Sequence, residues 1–164
     1  MRKKRIPKPI CNPLELAMRK AALLDRAMVA DMKLRLQLAL DEWGKGRQCL
    51  EGWISYADAY NLVESLGEIG VVRGEGYQDL MYKLNLTLAE LYQRGKAGSW
   101  TMKAEERSDL LWLAALHATL LEEISQGEFE KAFDLTVRRK SQALAGNASP
   151  GSTVFVGRVG RFEE

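Results

Sequence analysis

Histidine and cysteine are almost missing from this sequence, and they are the residues from which many protein metal sites are built. Its 164 residues include one histidine and two cysteines. These numbers exclude a cluster of histidine and cysteine ligands, a disulfide framework and any site that needs two histidines. A di-metal helical bundle needs Glu-x-x-His on two helices, whereas the only histidine, His117, is preceded at that spacing by Ala114. The sequence therefore predicts a non-enzymatic protein that holds no metal and no cofactor.

The sequence also lacks a long apolar segment. Its longest charge-free apolar stretch near the middle covers residues 110–121, well short of the roughly 20 residues that a membrane-spanning helix needs. The basic start of the chain is not followed by the apolar run of a secretory signal. We therefore expect a cytoplasmic protein that does not bind a membrane, with Cys11 and Cys49 in their reduced form.

Charge is distributed unevenly along the sequence, although the net value is only +2. Residues 1–11 carry +5 without any acidic residue, and residues 138–162 also carry +5 without any. Two glutamates end the chain, and residues 12–137 hold 14 basic and 20 acidic residues, a net charge of −6. An acidic body thus lies between two basic ends. The basic residues of these ends are Arg2, Lys3, Lys4, Arg5, Lys8, Arg138, Arg139, Lys140, Arg158 and Arg161.

The same composition predicts three segments. Like charges, prolines and a shortage of apolar residues favour an extended basic arm at residues 1–11. Residues 12–145 carry helical patterns and are predicted to form one all-helical domain. Residues 146–164 begin with a loop-like stretch and continue with a weak strand pattern, so we expect a flexible or weakly extended basic tail. Three alternatives stay open for this tail: pairing with the two valines at 71 and 72, docking on a partner, and remaining mobile.

A strong helix start, Asn-Pro-Leu-Glu, follows the basic arm at residues 12–15. Asparagine accepts hydrogen bonds from the first turn, proline suits the first helical position, and glutamate at the third position reaches back. Apolar residues then recur every three or four positions as far as Trp43, and Gly44 and Gly46 follow. This spacing predicts one helix of about 30 residues.

Shorter apolar stripes predict further helices at residues 56–66, 77–95, 101–124 and 128–144. We therefore predict an all-α fold, a helical bundle of four to five helices built along the long N-terminal helix. Met18, Met28 and Met32 on that helix suit an internal core as well as a homodimer interface, so a homodimer stays an open alternative.

Few residues have the chemistry for a site, and each has a simpler structural interpretation. His117 belongs to the apolar stripe of its helix, so we interpret it as a core histidine that is hydrogen-bonded to a neighbour. Trp53 and Trp100 fall in predicted connections and are expected to be the most exposed of the four tryptophans. Cys11 lies among basic residues that lower a thiol pKa, yet a passive thiol is the simpler interpretation.

The basic ends are the feature that points to a function. Lysine and arginine in an extended segment contact phosphates without reading base sequence, and each contact releases counterions. We therefore predict a non-enzymatic accessory protein that associates with DNA, RNA or a nucleoprotein complex through the ten basic residues named above. A recognition helix after residues 125–127 is excluded, because it would present Glu128, Phe129 and Glu130 to DNA.

The alternative prediction is a protein-binding adaptor or inhibitor. In that case the acidic helical body is the active surface, and the ends become ordered only on binding. The small size and the lack of catalytic residues also suit a protein encoded by a phage or another mobile element, although no motif indicates one. Composition, charge and periodicity leave both functions open.

Overall fold

The computed structural model describes residues 12–47 and 50–145. The predicted arm at residues 1–11 and the predicted tail at residues 146–164 lie outside these ranges. No strand occurs within them, only an isolated antiparallel bridge between Leu23 and Ser125. The all-α prediction and the helical bundle are therefore confirmed, with six helices in the described ranges instead of four to five. These helices are α1 (Pro13–Ala21), α2 (Arg26–Gly44), α3 (Leu50–Glu68), α4 (Tyr77–Lys96), α5 (Ala104–Glu123) and α6 (Gln126–Leu144).

The prediction of one long N-terminal helix is wrong, because the chain leaves the helical conformation between α1 and α2. Ala22 is extended, with φ −66° and ψ 147°. Asp25 then caps α2, since its side-chain oxygen accepts a hydrogen bond from the backbone N–H of Ala27 at 3.1 Å. The break left no trace in the apolar spacing because Leu24, within the connection, is itself buried in the core.

The central helix is α3 rather than the first helix. Eleven of its 19 residues are buried, and it packs against α2, α4, α5 and α6. The predicted helix at 56–66 therefore starts too late. Ser55 lies inside α3, and its hydroxyl donates to the carbonyl of Glu51 at 3.0 Å. A helix that is apolar on most sides gives no clear one-sided stripe, which explains the missed first turns.

The longer α3 changes the environment of Trp53. Instead of lying in a connection, Trp53 is buried on α3, and its indole N–H donates to the carbonyl of Leu88 at 2.9 Å. Its ring also lies against Tyr92, with 4.5 Å between ring centroids. The prediction of an exposed Trp53 is wrong. Trp100 is partly buried against the core, and Trp112 is the exposed one of the four tryptophans.

The first helix is attached to the start of α6. The backbone N–H of Gln126 donates to the carbonyl of Ala22 at 2.7 Å. Gly127 allows a close approach, because a Cβ atom there would lie 3.0 Å from the carbonyl oxygen of Lys20. Ser125 caps α6, and its backbone N–H donates to the carboxylate of Glu128 at 2.9 Å. These contacts hold α1 on the surface of the bundle, where none of its residues is buried.

The turn between α3 and α4 contains the two valines that were candidates for pairing with the tail. Val71 and Val72 are partly buried against the core, and the backbone N–H of Val71 donates to the carbonyl of Leu66 at 3.0 Å. The two valines therefore pack at the C-terminal end of α3, and the hydrogen bond of Val71 caps this helix. Across residues 12–47 and 50–145, none of the helices combines the length and the apolarity that spanning a membrane requires.

Candidate functional site

The structure describes three of the ten predicted phosphate-binding residues, Arg138, Arg139 and Lys140, which are consecutive on α6. The other seven lie outside the described residues. They are Arg2, Lys3, Lys4, Arg5, Lys8, Arg158 and Arg161.

Arg139 and Lys140 are engaged by acidic residues of α3. The guanidinium of Arg139 lies 2.6 Å from Oε2 of Glu64 and 3.1 Å from Oε1 of Glu68, and its side chain is only 10% exposed. The ammonium of Lys140 forms an ion pair with Asp58. These contacts join α6 to α3. Arg138 is different, because it is exposed and forms no ion pair with the residues that the structure describes.

A second set of cations lies near the N-terminal end, within residues 12–137, whose net charge is −6. Arg19 and Lys20 are in the last turn of α1, and Arg26 is the first residue of α2. All three are exposed, and none forms an ion pair within residues 12–47 and 50–145. Counting charge up to position 26 would have found them, because residues 1–26 contain eight basic and two acidic residues.

Two of the three methionines considered for a homodimer interface belong to the monomer core. Met28 and Met32 are partly buried against the core of the bundle. Met18 is 66% exposed and lies one turn after Leu14, which is 67% exposed. Of the three methionines, Met18 is therefore the exposed one, and with Leu14 it forms a short apolar edge of α1.

His117 is buried, as its position in the apolar stripe predicted, with 3% of its surface exposed. The predicted hydrogen bond to a neighbour is wrong, because neither ring nitrogen has a partner among the described residues. Burial lowers the pKa of His117 to about 4. The imidazole is therefore neutral at pH 7, with one nitrogen that donates a hydrogen bond and one that accepts.

His117 lines a pocket of about 330 Å³, which we call the α2–α6 pocket. Four helices contribute to it: α2 and α6 both pack on α3, and His117 enters from α5. Most of its lining is apolar. The apolar lining residues are Met32, Leu36, Ala59, Leu62, Phe133 and Val137.

The charged residues of the α2–α6 pocket are paired with one another or with near neighbours. Lys140 pairs with Asp58, and both line the pocket. Arg35 pairs with Asp31, one turn earlier on α2, at 2.7 Å. The lining therefore carries little uncompensated charge.

The most buried carboxylates of the described chain are also explained by partners. Glu106 on α5 accepts hydrogen bonds from the guanidinium of Arg94 at 2.7 and 2.5 Å and from the backbone N–H of Lys103 at 2.8 Å. Burial alone would raise the pKa of Glu106, but these hydrogen bonds outweigh it and hold the pKa below its ordinary value. Asp109 similarly accepts from Lys83 at 2.6 Å and from Thr87 at 3.0 Å. Both carboxylates therefore tie α5 to α4.

The described part of the chain contains no group of three or more histidine, cysteine, aspartate and glutamate side chains arranged to hold a metal ion. Comparison of the sequence and the fold with protein-family models, with curated proteins and with solved structures gave no significant match.

Proposed function

We propose that this chain is a non-enzymatic accessory protein that binds the phosphate backbone of nucleic acid, alone or in a nucleoprotein complex, through its N-terminal end. The observation that carries the proposal is the state of Arg19, Lys20 and Arg26, which are exposed and without ion pairs in the described ranges. They continue the basic segment at residues 1–11. Arg19, Lys20 and Arg26, together with the basic residues of positions 1–11, make up the cationic N-terminal end of the chain, which we call the N-terminal cation set.

The ion pairs of the bundle favour the N-terminal end over α6. Within the described residues, every ion pair involves positions from 31 onward. Arg139 and Lys140 would have to leave Glu64, Glu68 and Asp58 before they could contact a phosphate. Since that exchange would leave carboxylates uncompensated, their net contribution to binding is small. Of Arg138, Arg139 and Lys140, only Arg138 is exposed and without an ion pair in the described ranges.

Binding of this kind is electrostatic and indifferent to base sequence. Each phosphate contact releases condensed counterions, so affinity falls steeply with salt. Because contacts to phosphate position a protein without reading bases, we expect similar affinities for unrelated duplexes.

A charge-matched comparison tests the proposal. Arg19, Lys20 and Arg26 are changed together to alanine in one variant, and Lys33, Lys45 and Arg47 in the control. The control loses the same formal charge from residues that are ion-paired in the structure. Binding to a labelled DNA duplex and to RNA is measured by fluorescence anisotropy at several salt concentrations.

We expect the first variant to bind more weakly, with a salt slope reduced by about 0.9 for each DNA phosphate contact that is lost. The control should keep most of the slope. Equal losses in the two variants would show that overall charge alone matters, and an unmodified chain without salt-dependent binding would refute the proposed function.

The second candidate function is a protein-binding adaptor or inhibitor that acts through the acidic body on a positively charged protein. It is favoured by the net charge of −6 over residues 12–137 and by exposed carboxylates such as Asp41, Glu75 and Asp79, for which no ion pair is found within the described ranges. A partner recovered from extract only before nuclease treatment would support the first function. Recovery after nuclease treatment, together with loss on changing Glu75 and Asp79 to lysine, would support the second.

A further inference from the structure

We propose that the α2–α6 pocket is a binding site for a small, mostly apolar molecule that carries a hydroxyl group, such as a phenol, and that the hydroxyl group is hydrogen-bonded to His117. This site is separate from the N-terminal cation set, and nothing in the proposed nucleic-acid function requires it.

The dimensions and lining of the pocket suit such a molecule. Its volume of about 330 Å³ lies in the range of roughly 300–1,000 Å³ that is typical of small-molecule sites. Sites of this kind combine apolar walls with a few polar groups that fix the orientation of the ligand. Met32, Leu62 and Phe133 on three different helices supply apolar walls, and His117 is the polar group of α5.

The other polar residues that line the pocket already have partners. Ser55 donates to the carbonyl of Glu51 at 3.0 Å. The hydroxyl of Thr136 lies 2.8 Å from that of Ser65 and 3.0 Å from the carbonyl oxygen of Ala132. His117 differs from them, because both of its nitrogens lack a hydrogen-bond partner in the described chain.

A buried polar group without a partner destabilises the folded state, and such groups in a native protein call for an explanation. A ligand that completes the hydrogen bonding of His117 supplies one. A neutral imidazole both donates and accepts, and a hydroxyl group can satisfy either nitrogen. The internal compensation of Lys140 by Asp58, and of Arg35 by Asp31, leaves no net charge to attract an ionic ligand.

The test uses the full chain and two probes, 2-naphthol and naphthalene, which differ only in the hydroxyl group. The sequence has a single histidine, so its imidazole resonances need no assignment in a ¹⁵N NMR titration. We expect saturable binding of both probes, a shift of the imidazole nitrogens with 2-naphthol only, and roughly two- to tenfold tighter binding of 2-naphthol, as one hydrogen bond supplies.

Two variants separate a site at His117 from general adsorption. His117→Phe keeps an apolar ring at the site, so it should bind naphthalene as before and lose the preference for 2-naphthol. Val137→Trp fills the pocket from α6 and should weaken the binding of both probes at least tenfold. Leu144→Trp changes an exposed position of α6 outside the pocket lining and should not weaken it.

Three results would contradict a binding site at His117. Absence of saturable binding by either probe, a preference for 2-naphthol that persists in His117→Phe, or equal losses in Val137→Trp and Leu144→Trp would each overturn the proposal. Should His117→Phe fail to fold, the comparison of Val137→Trp with Leu144→Trp still tests the position of the site, and the imidazole shift in the unmodified chain still tests the hydrogen bond.

Discussion

The aromatic ring of Tyr77 lies across Gly67, in the space where a side chain at that position would begin. A Cβ atom on Gly67 would be 2.8 Å from two carbons of the ring. The hydroxyl of Tyr77 donates to the carbonyl of Val63 at 3.0 Å, one turn earlier on α3. Gly67 is therefore the point at which the start of α4 contacts the end of α3.

Gly67→Ala should destabilise the fold. Alanine is favoured over glycine in a helix by up to about 1 kcal/mol, but the added methyl group forces Tyr77 away from α3. Overpacking of this kind typically costs about 1–3 kcal/mol, and displacement of Tyr77 also removes its hydrogen bond to Val63. We expect the free energy of unfolding, measured by urea denaturation, to fall by roughly 1–2 kcal/mol.

Gly44→Ala is the matched control for that substitution. Gly44 is the last residue of α2, and a Cβ atom there would meet nothing within 4 Å. Its effect on stability should therefore stay within about 0.5 kcal/mol, as for other surface changes. If Gly67→Ala left the free energy of unfolding unchanged, the prediction would be wrong, because Tyr77 would then move aside without any loss of stability.

Arg138 and Arg139 are adjacent but should respond differently to alanine. Arg139→Ala leaves Glu64 and Glu68 without their shared cation at the contact between α3 and α6. We expect a loss of roughly 1–3 kcal/mol in the free energy of unfolding, as for a hydrogen-bonded, poorly exposed charge that loses its partner. Arg138→Ala should change stability by less than about 0.5 kcal/mol. Urea denaturation checks both values, and equal effects would contradict the assignment of Arg139 as a structural residue.

The basic segment at residues 1–11 gives a prediction for nucleic-acid binding. Replacing Arg2, Lys3, Lys4 and Arg5 together with alanine should weaken binding to any duplex and lower the salt slope by about 0.9 for each phosphate contact that is removed. Anisotropy titrations at about 50 and 200 mM salt measure this change. Undiminished affinity in the variant would exclude this segment from the binding surface.

The helical class could be predicted from sequence because apolar residues recur at helical spacing along residues 12–145. The division between α1 and α2 could not, since Leu24 keeps the apolar spacing through the break. Asp25 was an available signal, as aspartate is among the preferred N-cap residues. The early start of α3 was missed because Trp53 and Tyr56 are buried on a helix that is surrounded by four others.

The candidate sites were likewise only partly predictable from the sequence. Burial of His117 followed from its own helix, but the α2–α6 pocket depends on how four helices meet, which no local pattern encodes. Arg139 looked like a free cation because its partners Glu64 and Glu68 lie about 70 positions earlier on α3. Local charge counts therefore identify basic segments but not which of their residues are already paired.

The burial of His117 predicts how stability depends on pH. Its pKa is about 4 in the folded chain and has the ordinary value of 6.5 when exposed. Between these values the unfolded chain binds a proton that the folded chain does not, so the free energy of unfolding falls as pH is lowered from 6.5 towards 4. The full loss is roughly 3 kcal/mol.

His117→Leu isolates this contribution, because leucine fills the buried position without a titratable group. Between pH 6.5 and pH 4.5 the stability of the variant should fall less than that of the unmodified chain, because the variant lacks the contribution of His117. Carboxylates with a lowered pKa, such as Glu106 and Glu128, lose their contribution progressively below about pH 5 in both proteins alike. Urea denaturation at half-unit steps of pH gives the free energy of unfolding of both proteins as a function of pH. Parallel curves down to pH 4.5 would contradict the prediction, because they would show that the folded chain binds a proton at His117 as readily as the unfolded chain.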